Sequence, residues 1–212
     1  EQELAPIIEQ IMEGVDSRFH GAGREDVDAR MLGEGRPFVV EVIEPRRRVV
    51  DTEALTRAVN TAADGVVGVS PLRHATYEQV ERVKSLPASK RYRAQVRFEG
   101  PVEESQLEEA MAALMAEPIE QYTPHRVDHR RAGLTRVRAV YDASVATCEG
   151  ADATLEIHGE GGLYIKELIS GDDGRTVPSV AELMGMSATV TALDVLAVIG
   201  EEEPFEDPEY LR

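Results

Sequence analysis

The chain has 212 residues, a formal net charge of −17 and 42% hydrophobic residues. A chain of this length can bury one substantial core. It contains neither an apolar run long enough to cross a bilayer nor a leader, so we expect a soluble, cytoplasmic protein, and a monomer. The single cysteine, Cys148, excludes an internal disulfide and a cysteine-built metal site.

Taken alone, the acidity argues against a nucleic-acid partner, because phosphate contacts need a basic face. The type of charge suggests another explanation. Lysine occurs only at Lys84, Lys90 and Lys166, all other basic residues being arginine or histidine, and tryptophan is absent. This composition is typical of proteins adapted to molar salt. At ~1 M ionic strength the Debye length is roughly 3 Å, so distant acidic side chains repel phosphate weakly.

The first part of the chain alternates helix and strand patterns. Apolar spacing predicts helices over 4–15, 51–63 and 77–84, and β-branched runs predict strands over 36–43 and 66–72. Asp51 precedes the second helix and is a suitable N-cap.

The second part is richer in strands. Alternation predicts a strand over 90–98, with Tyr92 on its apolar face, and helical spacing predicts a helix over 103–116. The further predictions are a hairpin of 137–148 and 151–159, an apolar segment over 163–169 at the opening of a helix, a short helix over 178–185 and a strand over 189–199. Consecutive strands without strict βαβ alternation favour an α+β fold with a mainly antiparallel sheet. The composition of 201–212, acidic and proline-bearing, is typical of a disordered tail.

The segment 19–33, FHGAGREDVDARMLG, is the candidate active-site loop. Gly21 and Gly23 allow a sharp turn and the close approach of a ligand, while Arg24 and Asp26 place a guanidinium beside a carboxylate. Such a carboxylate is suited to covalent catalysis, with Asp26 as the nucleophile. An aspartate in a glycine-rich turn is more often a turn or cap residue, so further observations have to decide.

The charge changes sign between residues 124 and 138, where arginines and histidines outnumber a single acid, Asp128. The cluster is either a set of ion pairs or a track for a nucleic-acid backbone. His125 and His129 have the spacing of a metal pair on a helix, but Pro124 disfavours a helix there and no third ligand is spaced to join them, so we predict no metal site.

Four segments in the same order resemble one family: GREDVDARMLGEGRPFVVEV, KRYRAQV, TPHRVDHRRAGLTRVRAV and GEGGLYIKELISGDDGRTVPSVAELMG. The chain is similar along most of its length to the archaeal and eukaryotic tRNA pseudouridine-54/55 synthases. The last segment also resembles the Gly-x-Tyr-Ile-Arg motif of other tRNA pseudouridine synthases, with Lys166 in the place of arginine. Two positions depart from the family pattern: Gly133 stands where an acidic residue is usual, and Tyr122 where an arginine is usual.

The resemblance implies the pseudouridine synthase fold, with a mixed central sheet flanked by helices and an active-site cleft. Residues 1–200 would form the catalytic domain as two lobes around one cleft. The chain opens on Glu1 rather than Met, so we expect it to be part of a longer protein, and the family's N-terminal RNA-binding domain is not recognised in it. The implied substrate is tRNA, whose T-arm uridines 54 and 55 are isomerised after base flipping, without a cofactor.

The resemblance also implies roles for individual residues. Asp26 would be the nucleophile, and Lys166 the cation that keeps it ionised. Arg24 would bind a phosphate or occupy the space left by the flipped uridine. Tyr92 and Tyr164 would stack on the base, with Ile165 as a wall of the pocket. The predicted RNA contacts are His20, Arg126, Arg130 and Arg131.

Two alternatives remain open from the sequence. A non-catalytic RNA-binding module would share the basic stretch, and a carboxylate-dependent hydrolase would pair Asp26 with Glu25 or Asp28. For the synthase, attack of Asp26 on C6 of the base, attack on C1′ of the ribose and a glycal route are equally compatible with the sequence.

Overall fold

The computed structural model describes residues 3–33 and 35–200. These residues form two compact units. The first contains residues 3–24 and 37–86, and the second contains 25–33, 35–36 and 87–200. The predicted tail, 201–212, lies outside the described residues.

Helices and strands are interspersed along the described residues. The α-helices are α1 Ala5–Met12, α2 Thr52–Ala62, α3 Tyr77–Ser85, α4 Glu104–Ala116, α5 Ile165–Ser170 and α6 Val180–Met184. The strands are β1 Asp16–Gly21, β2 Ala29–Met31, β3 Phe38–Ile43, β4 Ser89–Phe98, β5 Ile119–Tyr122, β6 Thr135–Arg138, β7 Val140–Glu149, β8 Asp152–Gly159, β9 Thr176–Val177 and β10 Ala188–Ile199. A 3₁₀ helix spans His125–Arg130. Among the described residues, no helix has the length and apolar character needed to cross a membrane.

The first unit packs helices against an antiparallel pair of strands. β1 pairs with β3 from Asp16 opposite Ile43 to Gly21 opposite Phe38. The core is built by apolar side chains of α1 and α2, of which Ile8 and Val59 are buried. The Asp51 carboxylate accepts hydrogen bonds from the first backbone N–H groups of α2, as its position predicts.

The strand predicted over 66–72 is wrong, because this segment forms no regular secondary structure. Its backbone is held by a side chain instead of a neighbouring strand. The Asn60 side chain accepts a hydrogen bond from Val69 N at 2.7 Å and donates one to Val69 O at 3.0 Å. The β-branched residues therefore indicate apolar contact with the core of this unit and not strand pairing.

The second unit contains a five-stranded sheet in the order β2-β10-β4-β8-β7. β2 runs parallel to β10 and the other pairs are antiparallel. Along β4 the side chains of Tyr92, Ala94, Val96 and Phe98 alternate into the core, as the sequence predicts. The prediction of a mixed, mainly antiparallel α+β fold is confirmed.

A second, three-stranded sheet in the order β6-β5-β9 lies in the same unit. Two of its strands, β5 and β9, were not predicted, because they have four and two residues and show too little alternation to be recognised. On β5 the inward-facing Gln121 is 1% exposed. Its side chain bonds both the N and the O of Tyr164 at 2.9 Å, which fixes the start of α5.

Candidate active site

The loop that contains Asp26 is attached to the sheet on its C-terminal side. A turn closes over Asp26 and Asp28, with Ala29 N donating to Asp26 O at 3.1 Å. β2 follows and pairs with the middle of β10. The pair is reinforced by Arg30, whose guanidinium donates to both carboxylate oxygens of the buried Asp194, at 2.7 and 3.0 Å. The sheet therefore fixes where this loop ends.

Asp26 is paired directly with Arg126, which the 3₁₀ helix presents. Arg126 Nη1 donates to Asp26 Oδ1 at 2.5 Å, and the Asp26 side chain is 23% exposed. The other edge of the guanidinium faces Glu167 of α5, with Nε to Oε1 at 2.5 Å and Nη2 to Oε2 at 3.2 Å. Burial disfavours the charged form of Arg126, but the hydrogen bonds that Arg126 donates to Glu167 and Asp26 outweigh burial and raise its pKa. Arg126 therefore remains charged between the two carboxylates.

Lys166 lies near Asp26 but bonds chiefly to Asp28. Its Nζ donates to the two carboxylate oxygens of Asp28 at 2.8 and 2.6 Å, whereas its distance to Asp26 Oδ2 is 4.0 Å. The hydrogen bond from Lys166 is the main cause of a lowered pKa at Asp28. Lys166 was predicted to be the cation that keeps Asp26 ionised, and this role stays a prediction; in the structure the Arg126 guanidinium is closer to the Asp26 carboxylate.

A third acidic residue of the loop, Glu25, is more deeply buried and contacts two side chains of β4. Lys90 of β4 donates to the Glu25 carboxylate, and their side chains are 6% and 13% exposed. The Tyr92 hydroxyl donates to the other Glu25 oxygen at 3.4 Å. Burial first, and then the Glu25 charge, raise the pKa of Tyr92, so the phenol keeps its proton at neutral pH. Glu25 thus anchors the loop to β4 on the N-terminal side of Asp26.

The two residues before Lys166 differ in their surroundings. Arg126 lies over the Tyr164 ring, with the guanidinium carbon 5.8 Å from the ring centroid. Ile165 is 3% exposed and belongs to the main core, and Tyr92 is 5% exposed. The stacking role predicted for Tyr92 and Tyr164 and the pocket-wall role of Ile165 stay predictions.

The remaining predicted residues are Arg24, His20, Arg130 and Arg131. Arg24 and His20 belong to the first unit, where His20 Nε2 lies 3.0 Å from Glu41 Oε2. Arg130 and Arg131 are exposed at the end of the 3₁₀ helix. Contacts of these four residues with RNA stay predictions.

Among the residues that were not predicted to belong to this site are Glu167, Lys90 and Gln121. Each is a polar residue within an otherwise inward-facing apolar pattern. Glu167 is the one acid in the run LYIKELI, and Lys90 has the same strand parity as Tyr92. A buried polar residue needs a partner, so each of these positions could have been recognised as part of a polar network.

No group of three or more His, Cys, Asp or Glu side chains in 3–33 and 35–200 is arranged to hold a metal ion. His125 instead lies 4.0 Å from Asp128 and 3.9 Å from Asp173. The described site consists of carboxylates paired with Arg and Lys, which suits nucleophilic chemistry of a carboxylate.

Comparison with solved structures identifies the fold. The chain superposes on a chain of the "Crystal Structure of a Cbf5-Nop10-Gar1 Complex" with a TM-score of 0.59 and 20% identity, over 98% of this chain and 46% of that one. A chain of the "Crystal structure of the archaeal box H/ACA sRNP Nop10-Cbf5 complex" gives a TM-score of 0.51 at 19% identity, over 98% and 45%. At this identity the likeness concerns the fold alone. The fold is that of the pseudouridine synthases, as the sequence predicts.

The sequence comparisons then give the particular family. The family model described as "Pus10, C-terminal" matches residues 1–199, and this chain belongs to that family. The Halorubrum lacusprofundi protein named tRNA pseudouridine synthase Pus10 is 59% identical over 212 residues, 100% of this chain and 50% of that protein. The Archaeoglobus fulgidus protein of the same name is 50% identical over 198 residues, 93% of this chain and 55% of that protein. The chain therefore spans about half the length of these curated relatives, and the family resemblance seen in its sequence is confirmed.

Proposed function

We propose that this chain is the catalytic part of a tRNA pseudouridine synthase, and that it converts uridine 54, uridine 55 or both in the T-arm of tRNA. The observation that carries the proposal is the setting of Asp26. In a chain of the Pus10 C-terminal family, this carboxylate is held by Arg126 at 2.5 Å and has Lys166 at 4.0 Å, while 23% of its side chain remains accessible.

The chemistry requires such a carboxylate. Pseudouridine formation breaks the N1–C1′ bond of uridine, turns the base and joins it to the ribose through C5, with no net redox change. A nucleophilic aspartate has to be ionised in a site from which water is excluded, which costs free energy unless a cation is close. Arg126 and Lys166 supply positive charge on two sides of Asp26.

The substrate base must leave its stack before Asp26 can reach it, so we propose base flipping into this site. The exposed Arg130 and Arg131 follow Arg126 within a few residues and would bind the phosphates that flank the flipped nucleotide. Tyr164 lies next to Arg126, and we propose that its ring stacks on the flipped base.

The test is conversion of unmodified tRNA transcripts at high salt, followed by carbodiimide-based primer extension, which detects pseudouridine. We expect stops at position 54, 55 or both. Transcripts with cytidine at either position identify the modified uridine. Absence of stops at every salt concentration would reject the proposed function and favour an RNA-binding module.

Asp26→Asn is the decisive variant, because it removes the charge and hardly changes the volume. We expect conversion to be abolished while tRNA binding, measured by filter retention, stays near that of the unaltered chain. The matched control is Asp28→Asn, which neutralises a second carboxylate of the same loop that is 71% exposed and bonded to Lys166. Retained turnover in Asp26→Asn would remove Asp26 from the nucleophile role.

A further inference from the structure

Glu167 is a buried carboxylate to which the proposed chemistry assigns no task. Its side chain is 5% exposed, and it lies in the six-residue helix α5 between the half-buried Lys166 and the buried Leu168. A buried charge is costly unless it is paired and hydrogen-bonded. Its hydrogen-bond partner is the Arg126 guanidinium, through both carboxylate oxygens.

The geometry of this contact fixes the orientation of Arg126. A guanidinium is planar, so two hydrogen bonds from Nε and Nη2 to one carboxylate define both its position and its plane. Its Nη1 then points to Asp26 Oδ1 at 2.5 Å. The two hydrogen bonds to Glu167 therefore restrict the conformation of the Arg126 side chain independently of its contact with Asp26.

We propose that Glu167 is a positioning residue that acts through Arg126, and that Arg126 is the cation that holds and orients Asp26 for attack, while Lys166 adds positive charge at a longer distance. This inference rests on the proposed function. Lys166 is engaged with both oxygens of Asp28 and lies 4.0 Å from Asp26, beyond hydrogen-bond distance. Lys166 therefore orders the loop, while the pair of Glu167 and Arg126 aims the nucleophile.

The first test is Glu167→Gln, measured as the single-turnover rate with saturating tRNA. Gln keeps the volume of Glu but presents an NH₂ group to one N–H of the guanidinium, so the two-bond contact is lost. A displacement of a reacting group by about 1 Å can cost up to 100-fold in rate. We expect a fall of about 10- to 100-fold at an unchanged Kd for tRNA. A change in Kd with the saturating rate intact would overturn the proposal.

A double-mutant cycle tests whether Glu167 acts through Arg126. If it does, Arg126→Met together with Glu167→Gln should be no slower than Arg126→Met alone, because the second change removes nothing further. Additive losses would overturn the proposal. Arg126→Met leaves Glu167 buried and unpaired, so Arg126→Lys, alone and with Glu167→Gln, repeats the cycle if Arg126→Met does not fold.

The matched control is another arginine–glutamate pair in the same unit. Arg93 of β4 contacts Glu156 of β8 through Nε at 3.1 Å and Nη2 at 2.7 Å. Arg93 follows Tyr92 and points to the opposite face of the strand. Arg93→Met and Glu156→Gln should leave the single-turnover rate within about twofold of the unaltered chain, since exposed pairs contribute little. A loss equal to that in Glu167→Gln would overturn the proposal.

A measurement without turnover separates this inference from the proposed function. In ¹⁵N-labelled protein the Arg126 Nε–H, held by Glu167, should exchange slowly with solvent, and Glu167→Gln should make it exchange rapidly. Asp26→Asn should shift the signal without abolishing it. Rapid exchange in the unaltered chain would reject the inference whether or not tRNA is converted. Slow exchange without any conversion would instead reject the proposed function.

Discussion

At the scale of single residues, each acidic side chain of the loop 25–28 has its own cation. The pairs are Glu25 with Lys90, Asp26 with Arg126 and Asp28 with Lys166. The exposure of the three acidic side chains rises along the loop, from 13% to 23% to 71%. Because burial strengthens an electrostatic contact and raises the cost of breaking it, the three pairs should differ in what they contribute.

We expect Lys90→Met to destabilise the fold by about 3–5 kcal/mol, because Glu25 is then left buried without its cation. Adding Glu25→Gln should recover much of the loss, since no unpaired charge remains. The control is Arg97→Met on the same strand, whose partner Asp152 is 57% exposed, and it should cost about 0.2–1 kcal/mol. Urea unfolding measures all three variants. Equal losses of unfolding free energy in Lys90→Met and Arg97→Met would contradict a larger contribution of the buried Lys90–Glu25 pair.

The pair of Asp28 and Lys166 should act on stability in a defined pH range. The hydrogen bond from Lys166 holds the pKa of Asp28 below its ordinary value of 3.8. The contribution of this pair to the free energy of unfolding is therefore complete above pH 3.8 and is lost as the pH falls through the lower pKa that Asp28 has in the folded state. Asp28 is largely exposed, so we expect less than about 1 kcal/mol. Thermal unfolding of the unaltered chain and Lys166→Met should differ at neutral pH and converge in acid; a difference that persists there would contradict this assignment.

At the scale of elements, the long and regular segments could be predicted from the sequence. The alternation in β4 and the apolar spacing in α4 are repeated often enough to outweigh local exceptions. The short strand β2 could not be predicted, because three residues carry no period. Its conformation comes from pairing with β10, which lies far along the chain, with Leu193 opposite Ala29. The conformation of such short segments is determined by tertiary contacts and not by local propensity.

The site was predictable to the extent that it follows motifs. Asp26 and Lys166 belong to recognisable motifs, and the structure brings them within 4.0 Å. Arg126 also lay in a recognised segment, but its basic surroundings indicated RNA contact. RNA contact by Arg126 stays a prediction. That Arg126 also bridges Asp26 and Glu167 depends on how the 3₁₀ helix packs against α5, which no spacing in the sequence encodes.

Tyr122 and Gly133, the two positions at which the resemblance suggests a departure from the family pattern, are in contact. A Cβ at Gly133 would overlap the Tyr122 hydroxyl and lie 3.1 Å from Cζ. Arg175 lies over the same ring, 5.2 Å from its centroid. Gly133→Ala should displace the ring and cost about 0.5–1 kcal/mol from the lost cation–π contact. Tyr122→Phe, which removes the overlapping oxygen, should restore part of the loss in urea unfolding; a larger loss in the double variant would contradict this.

At the scale of the whole molecule, the charge of −17 should make both stability and turnover depend on salt. Unscreened acidic side chains repel one another and weaken the compact state. We expect the unfolding midpoint and the turnover rate to rise with KCl toward about 1 M, where the Debye length falls to roughly 3 Å. Neutralising two exposed acids of α4 with Glu108→Gln and Glu109→Gln should reduce this dependence. A maximum of both quantities at low ionic strength would refute the explanation of the charge.

The pairing of β2 with β10 also determines when the candidate active-site loop can form during synthesis. The ribosome makes Asp26 before the strand that holds its loop, 188–199, which is the last strand of the described residues. Arg126, Lys166 and Glu167 are also made long after Asp26. Closing a loop of this length is entropically costly and slow compared with local pairing. In a nascent chain the loop 25–28 therefore lacks these partners until residues 188–199 have been made and have paired with β2.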